Sequence, residues 1–337
     1  TGYWDGAVGG REYLIKLVNA GYSKKYEKKY KGCKGYDDFR DVINKRSIDA
    51  VEVVTPDHWH SIPVLMAAAA GKDIYCQKPL SLTIPEGRAM SNAVKKNKIV
   101  FQTGSQQRSN PNFHRICELV RNGRIGELQT IRCGLPGGTP DFGRTGDQTD
   151  TIPVPEGFNY DMWLGPAPLA PYAPGRCHFN FRWILDYSGG MLTDWGAHYV
   201  DTAQWANDTE LSGPVEVEGR GVFLTGGLYN TADDFNIDYR YGNGVTMNLK
   251  SGGNAIAFEG TEGWIQCMGW RGKVTASNPA ILETNIKWYE THLRTAESEH
   301  RDFIDCVKSG KGTMMSAEIG HRTATILHMG NIAMMLQ

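Results

Sequence analysis

The sequence predicts an α/β chain in two parts. A parallel, helix-covered sheet comes first, and an α+β region with a large, mainly antiparallel open sheet follows. Three observations predict it. Ala50 to Val54 and Ile74 to Gln77 are short apolar strands separated by an apolar helix, Ile62 to Ala70, ended by Gly71. This strand–helix–strand order is the unit of a parallel sheet. A further helix, Pro85 to Lys96, entered through Thr83, leads to a third strand, Ile99 to Gly104. From about Leu128 the pattern changes to strands in close succession, with Gly242-Asn243-Gly244 as a hairpin turn between two of them.

Before the first of these strands, Arg11 to Lys31 is expected to be a helix with Tyr13, Leu14, Leu17 and Val18 on one face. Cys33 to Tyr36 is expected as a short edge strand and Asp38 to Lys45 as a short helix. Pro111 to Asn122, ended by Gly123, links the two parts. The strands of the second part are expected at Gln129 to Gly134, Val215 to Phe223, Phe235 to Tyr241, Val245 to Lys250, Ala255 to Glu259 and Trp264 to Cys267. The Pro- and Gly-rich stretch Pro136 to Gly175 is too long for an idle loop and is expected to line a site. The division falls between residues 1–126, a Rossmann-type dinucleotide-binding domain, and 127–337, a domain for substrate and oligomer contacts.

A dinucleotide-binding domain opens with an apolar strand, a Gly-x-Gly-x-x-Gly loop and a helix. This chain opens with Thr1-Gly2-Tyr3-Trp4-Asp5-Gly6-Ala7-Val8-Gly9-Gly10, with no strand before the glycines. They read as a flexible loop, and the first strand, its glycine loop and first helix are expected upstream. The Val51–Val54 strand would then be an exposed apolar edge. A fragment of a longer chain is one explanation, and a partner chain supplying the strand is another.

Composition excludes several classes. The 337 residues are 40% hydrophobic and 22% charged, with a formal net charge of −1. Lys24-Lys25 and Lys28-Lys29 form no stripe that would bind nucleic acid. No apolar run reaches the roughly 18–20 residues that span a bilayer. The seven cysteines show no Cys-x-x-Cys and read as reduced thiols. His58 and His60, two apart beside Asp57, do not share a helix face, so no metal is expected there.

In an open parallel sheet, ligands bind outside the carboxyl ends of the strands. Thr55, His60, Gln77 and Lys78 stand at such ends, and Ser105-Gln106-Gln107-Arg108-Ser109 leaves the third. A second polar segment, Ser188 to Asp201, places Asp194 and His198 four residues apart, on one helix face. Alone, that pair reads equally as a helix cap with a core histidine. Tyr160, Trp163, Arg182, Trp183 and Tyr187 flank it, and aromatic faces suit sugar stacking. Arg108 and Arg182 fit a sugar acid or phosphate as well as plain salt bridges.

Thr55-Pro56-x-x-x-His60, followed by Lys78-Pro79 after the next strand, resembles the glucose-fructose oxidoreductase/inositol dehydrogenase/MocA family of sugar dehydrogenases. The Gly189-Gly190…Asp194…His198 segment resembles it too. The resemblance implies a nicotinamide cofactor, NAD in preference to NADP, touched by Thr55, Pro56, His60, Gln77, Lys78 and Gln106. It implies Lys78, Asp194 and His198 as catalytic groups, with Asp201 orienting His198. Arg108, Tyr160, Arg182, Asp194 and His198 are the expected substrate contacts. His198 would act as general base on a carbohydrate hydroxyl, and Lys78 would act through a lowered pKa or a proton relay with it. Gln77 departs from the family's usual Glu. The resemblance also implies a homo-dimer or homo-tetramer. The sequence shows no signal peptide, so a cytoplasmic protein is expected unless an export signal precedes residue 1. Three functions stay open: a dehydrogenase for a sugar or polyol alcohol, a redox-neutral glycoside-cleaving enzyme with tightly bound NAD, and an inactive, cofactor-free fragment.

Overall fold

A computed structural model describes residues 10–141, 143–270 and 272–337. The amino-terminal glycines Gly2, Gly6 and Gly9, expected as a flexible loop, lie outside the described residues. Helix α1 (Arg11–Lys25) ends six residues earlier than expected, and α2 (Phe39–Ile43) starts at the Asp38 cap, whose carboxylate accepts from Arg40 N. Between them, Cys33 to Tyr36 is not a strand. Its chain is tied locally to α1, with Cys33 N donating to Asn19 Oδ1 and Tyr30 N to Ser23 Oγ, and among the described residues no strand pairs with it.

Strands β1 (Ala50–Val53), β2 (Asp73–Gln77) and β3 (Phe101–Gly104) form a parallel sheet in that order. Val51 pairs with Ile74, and Cys76 with Thr103. Among the described residues β1 pairs with β2 alone, and Val54 just beyond it is 61% exposed. Helix α3 (Ser61–Ala69) is closed by Gly71, whose φ of 70° is a left-handed conformation that glycine adopts freely. Helix α4 (Ile84–Asn97) begins with a complete capping box between Thr83 and Glu86. Val64, Ala67, Ile74, Cys76, Leu80 and Met90 make the core between these helices and the sheet.

Helix α5 (Pro111–Arg121) leads to β4 (Leu128–Gly134), the centre of a seven-stranded sheet. A long strap follows, holding α6 (Tyr160–Leu164), and then α7 (Gly190–Asp194) and α8 (Gly196–Ala206), which meet at Trp195. The remaining strands are β5 (Pro214–Phe223), β6 (Ala232–Tyr241), β7 (Thr246–Lys250), β8 (Ala255–Gly260), β9 (Trp264–Met268) and β10 (Val274–Ala276). Their order is β10-β9-β8-β4-β7-β6-β5, antiparallel except for β4 beside β7. Burial alternates along β6, with Phe235, Ile237, Tyr239 and Tyr241 inside and Asn236, Asp238 and Arg240 outside. One face is therefore packed and the other open.

Helices α9 (Ala280–Glu283), α10 (Glu299–Ser309) and α11 (Ala317–Met335) complete the chain. Helix α11 packs on α4 and β3 at the first sheet and on α8 and β5 at the second. Gly320 and Gly330 permit both contacts. A Cβ on Gly320 would stand 2.3 Å from Thr103 Oγ1, and one on Gly330 2.3 Å from the Tyr239 hydroxyl. Burying side chains such as Ile326 and Leu327 beneath this helix is worth roughly 1.5–3 kcal/mol each. The helix thus sets the end of β2 against α7. Among the described residues no helix is long and apolar enough to cross a membrane.

Candidate active site

A cleft of about 470 Å³ opens at the carboxyl ends of the parallel strands. Thr55, Pro56 and Asp57 from β1's exit line one side, with Gln77 and Lys78 from β2 and Gln106 beyond β3. Phe158, Trp163, His178, Phe181 and Arg182 reach it from the strap. The strap is pinned from within. Asp141 accepts from Thr145 N, Gly146 N and Asn180 Nδ2, and the Tyr229 hydroxyl donates to Gly146 O or Gly175 O. It is also docked on the turn after β1, because Trp163 O accepts from both His58 Nε2 (3.1 Å) and Trp59 Nε1 (3.0 Å).

Lys78 stands where the two sheets meet. Its Nζ donates to the backbone oxygen of Asp194 (2.9 Å) and to the Asp194 carboxylate. Arg182 Nε approaches the same carboxylate oxygen at 3.4 Å. The guanidinium is fixed by Phe179 and Phe181, whose ring centroids lie 4.1 and 4.7 Å away, and by Phe179 O. Burial works against a charged Asp194, but Lys78 and Arg182 outweigh it and hold the carboxyl far below the usual range. His198, 4% exposed and one turn on, is driven the other way. Burial and the Lys78 charge keep its imidazole well below the ordinary histidine value, against a smaller pull from Asp194. The site therefore holds a firmly ionised carboxylate beside a neutral imidazole.

Gly104 lets β3 pass close to this end of the sheet, since a Cβ there would stand 2.8 Å from Gln77 Oε1. Asp57 accepts from Ser188 Oγ at 2.5 Å. Burial pushes its carboxyl up, while His60 and Ser188 pull it back.

Two models of one family divide this chain. Residues 11–105 match the oxidoreductase family's NAD-binding Rossmann fold, and residues 110–337 match its C-terminal alpha/beta domain. The chain belongs to the glucose-fructose oxidoreductase/inositol dehydrogenase/MocA family. It is an oxidoreductase with an NAD-binding fold. Relatives include the myo-inositol 2-dehydrogenase of Thermotoga maritima, 25% identical over 329 residues, covering 91% of this chain and 84% of that one. Another is the scyllo-inositol 2-dehydrogenase (NAD(+)) of Bacillus subtilis, 25% identical over 82% of this chain and 72% of its own. The fold is shared with a levoglucosan dehydrogenase solved with NADH and levoglucosan, at a TM-score of 0.63 and 19% identity, over 95% of this chain and 86% of that one.

The residues present fit the nicotinamide end of the family's cofactor, because polar groups of Thr55, Gln77, Lys78 and Gln106 converge on one cleft of suitable size. Among the described residues no glycine loop follows a strand of the parallel sheet to hold a pyrophosphate.

Several sequence expectations need correction. Arg108, expected to contact substrate, is 2% exposed and faces inward. It forms a fork with Asp201, with Nε at 2.9 Å from Oδ2 and Nη2 at 2.5 Å from Oδ1, and Nη1 reaches Glu210 at 2.6 Å. Asp201 is thereby committed to Arg108 and Ser105 and does not orient His198. Tyr160 packs with Tyr172 and Tyr187 in a small core beneath the strap, its hydroxyl on Pro171 O. His60, expected at the cofactor, is a buried staple. Its Nδ1 lies 2.8 Å from Pro79 O and its Nε2 2.9 Å from Thr55 O. Both contacts are hydrogen bonds only if both ring nitrogens carry protons, and otherwise one carbonyl is left unmatched.

Phe158, Phe181 and Asp57 line the cleft without having been singled out. Phe158 lies in irregular chain and Phe181 in a single 3-10 turn, both too short for a periodicity that would mark a site. Trp270 was missed as well. Its ring meets His198 edge-on at 4.6 Å and Trp195 at 4.9 Å.

Proposed function

We propose that this oxidoreductase moves a hydride between a nicotinamide cofactor and a secondary alcohol of a sugar, polyol or related ring. The observation that carries the reading is the Lys78 bridge. One ammonium at the end of a parallel strand is bonded to both the carbonyl and the carboxylate of Asp194, at the end of α7, and α8, which follows directly, presents His198. Thr55, Pro56, Gln77, Lys78 and Gln106 would hold the nicotinamide end of the cofactor, which supplies the hydride acceptor when bound.

Oxidising an alcohol requires its hydroxyl proton to leave as the hydride departs. A base must be unprotonated to take it, and burial keeps His198 in that form. Asp194, held ionised, is too weak a base for the task. It fixes Lys78 and accepts a hydrogen bond from a substrate hydroxyl. The Lys78 ammonium then stabilises the negative charge that develops on the reacting oxygen. Phe158, Trp163 and Phe181 offer apolar faces to a sugar ring, and Arg182 a donor fork to its hydroxyls.

The same reading makes NAD the preferred cofactor and assigns residues 1–126 to nucleotide binding and 127–337 to substrate and subunit contacts. It also expects a cytoplasmic homo-dimer or homo-tetramer, measurable by light scattering. The test is a panel of inositols, aldoses and anhydrosugars with NAD and NADP, followed at the absorbance of the reduced cofactor. Reduction that disappears in Lys78→Ala and His198→Asn supports the reading. Substrate turnover with no net cofactor reduction contradicts it and marks the redox-neutral reaction.

A further inference from the structure

His198 is held in an unusual way. The residue is 4% exposed, and its Nδ1 is buried without a hydrogen-bond partner among the described residues. A histidine that handles protons is usually oriented by a bond to one ring nitrogen, from a carboxylate or a backbone carbonyl. Asp201, three residues on, is bound to Arg108 and Ser105 instead, and Asp194 is bound to Lys78. Among the described residues no polar side chain bonds Nδ1 to fix the plane of this ring.

An aromatic ring stands where an orienting group would be expected. Trp270, in the turn after β9, meets the imidazole at a centroid distance of 4.6 Å and an interplanar angle of 83°. The same indole meets Trp195, at the α7–α8 junction, at 4.9 Å and 69°. Edge-to-face pairs at such distances are directional, because the positive rim of one ring points at the negative face of the other. The second contact fixes the indole, so His198 packs against a wall that is itself fixed. This wall comes from the seven-stranded sheet, far in sequence from the histidine it touches.

We propose that Trp270 is a positioning residue for His198, setting the plane of its imidazole and shielding it from water. The inference rests on His198 being a proton-handling group, as the function above requires. The charged groups facing His198 are Lys78 from the end of β2 and Asp194 from α7, and they bond to each other.

The test is the histidine ring resonances of the full chain across a pH series, with His198→Asn used to identify the His198 signal. In the parent chain the signal stays in its neutral position through the range in which an ordinary histidine titrates. In Trp270→Ala water reaches the ring, and the midpoint moves upward by at least about one pH unit. Trp270→Phe keeps an aromatic wall and holds the midpoint near the parent's. Trp270→Leu is read in place of the alanine variant if that one unfolds. An unchanged His198 signal in a folded Trp270→Ala or Trp270→Leu chain overturns the proposal. The readout needs no substrate. A shift in a chain that reduces no cofactor would uphold the positioning role while removing the function proposed for the site.

Discussion

Lys78 Nζ lies 2.9 Å from the backbone oxygen of Asp194 and also binds its carboxylate, although the two residues are 116 positions apart. One residue closes a strand of the first sheet and the other closes a helix packed on the second. Helix α11, packed on elements of both sheets, is among the contacts that hold the two ends together. Lys78 and Asp194 are consequently a folding interface and a chemical site at once.

Asp194→Asn removes the anion that fixes Lys78. Turnover is expected to fall by roughly 10²- to 10⁴-fold, the range of a positioned acid–base system. The folded pKa of Asp194 is depressed, so its stabilisation is present above the unfolded carboxyl value of about 3.9, and is lost as pH falls through the folded value. Denaturant unfolding at a series of acid pH values should show a decline in the parent that the variant lacks. Equal pH slopes would refute the pairing.

Arg108 and Asp201 form a buried pair away from the cleft, with Arg108 2% exposed and Asp201 0%. Asp201→Asn leaves the guanidinium short of charge and is expected to cost about 3–5 kcal/mol in urea unfolding. Arg108→Met with Asp201→Leu should recover much of that loss. A substrate KM that rises in Arg108→Met while unfolding is unaffected would return Arg108 to the cleft.

His60→Ala removes the imidazole that stands between Pro79 O and Thr55 O. A neutral imidazole donates to one of these carbonyls, so with roughly 1–3 kcal/mol for a buried polar group left unmatched, a loss of about 1–3 kcal/mol is expected in thermal or denaturant unfolding. Cofactor affinity should fall as well, because Thr55 lines the cleft. A chain as stable as the parent would show that the staple is not a support.

Gly330→Ala would place a Cβ 2.3 Å from the Tyr239 hydroxyl, which donates to Ile326 O. The helix gains about 1 kcal/mol of propensity from alanine, but overpacking typically costs about 1–3. A net loss is expected, read as a lower urea midpoint with an unchanged slope.

Much of this was legible in the sequence, and the reasons separate cleanly. Thr55, Gln77 and Lys78 could be placed because ligands gather at parallel strand ends, and a strand end is visible as an apolar run meeting polar residues. Asp194 could be placed by its spacing to His198. Arg108 sits at the same kind of strand exit as Gln106, yet only Gln106 lines the cleft. What separates them is Asp201, 93 residues on, and no local pattern reports a partner at that distance. Tyr160 and His60 misled in a similar way, since their types suit ligands and also suit a small core and a carbonyl staple. Trp270 carried no local signal, as it sits in a turn whose contact with His198 exists only after the second sheet folds.

The measurement that bears most directly on the central claim is a titration with NADH, followed by energy transfer from tryptophan to the reduced nicotinamide, in the parent chain and in Lys78→Ala. Trp163 lines the cleft and serves as donor. Saturable transfer in the parent, weakened at least about tenfold in Lys78→Ala, or about 1.4 kcal/mol, is the predicted result. No binding by the parent, or equal binding by both, would contradict the assignment of this cleft to the cofactor.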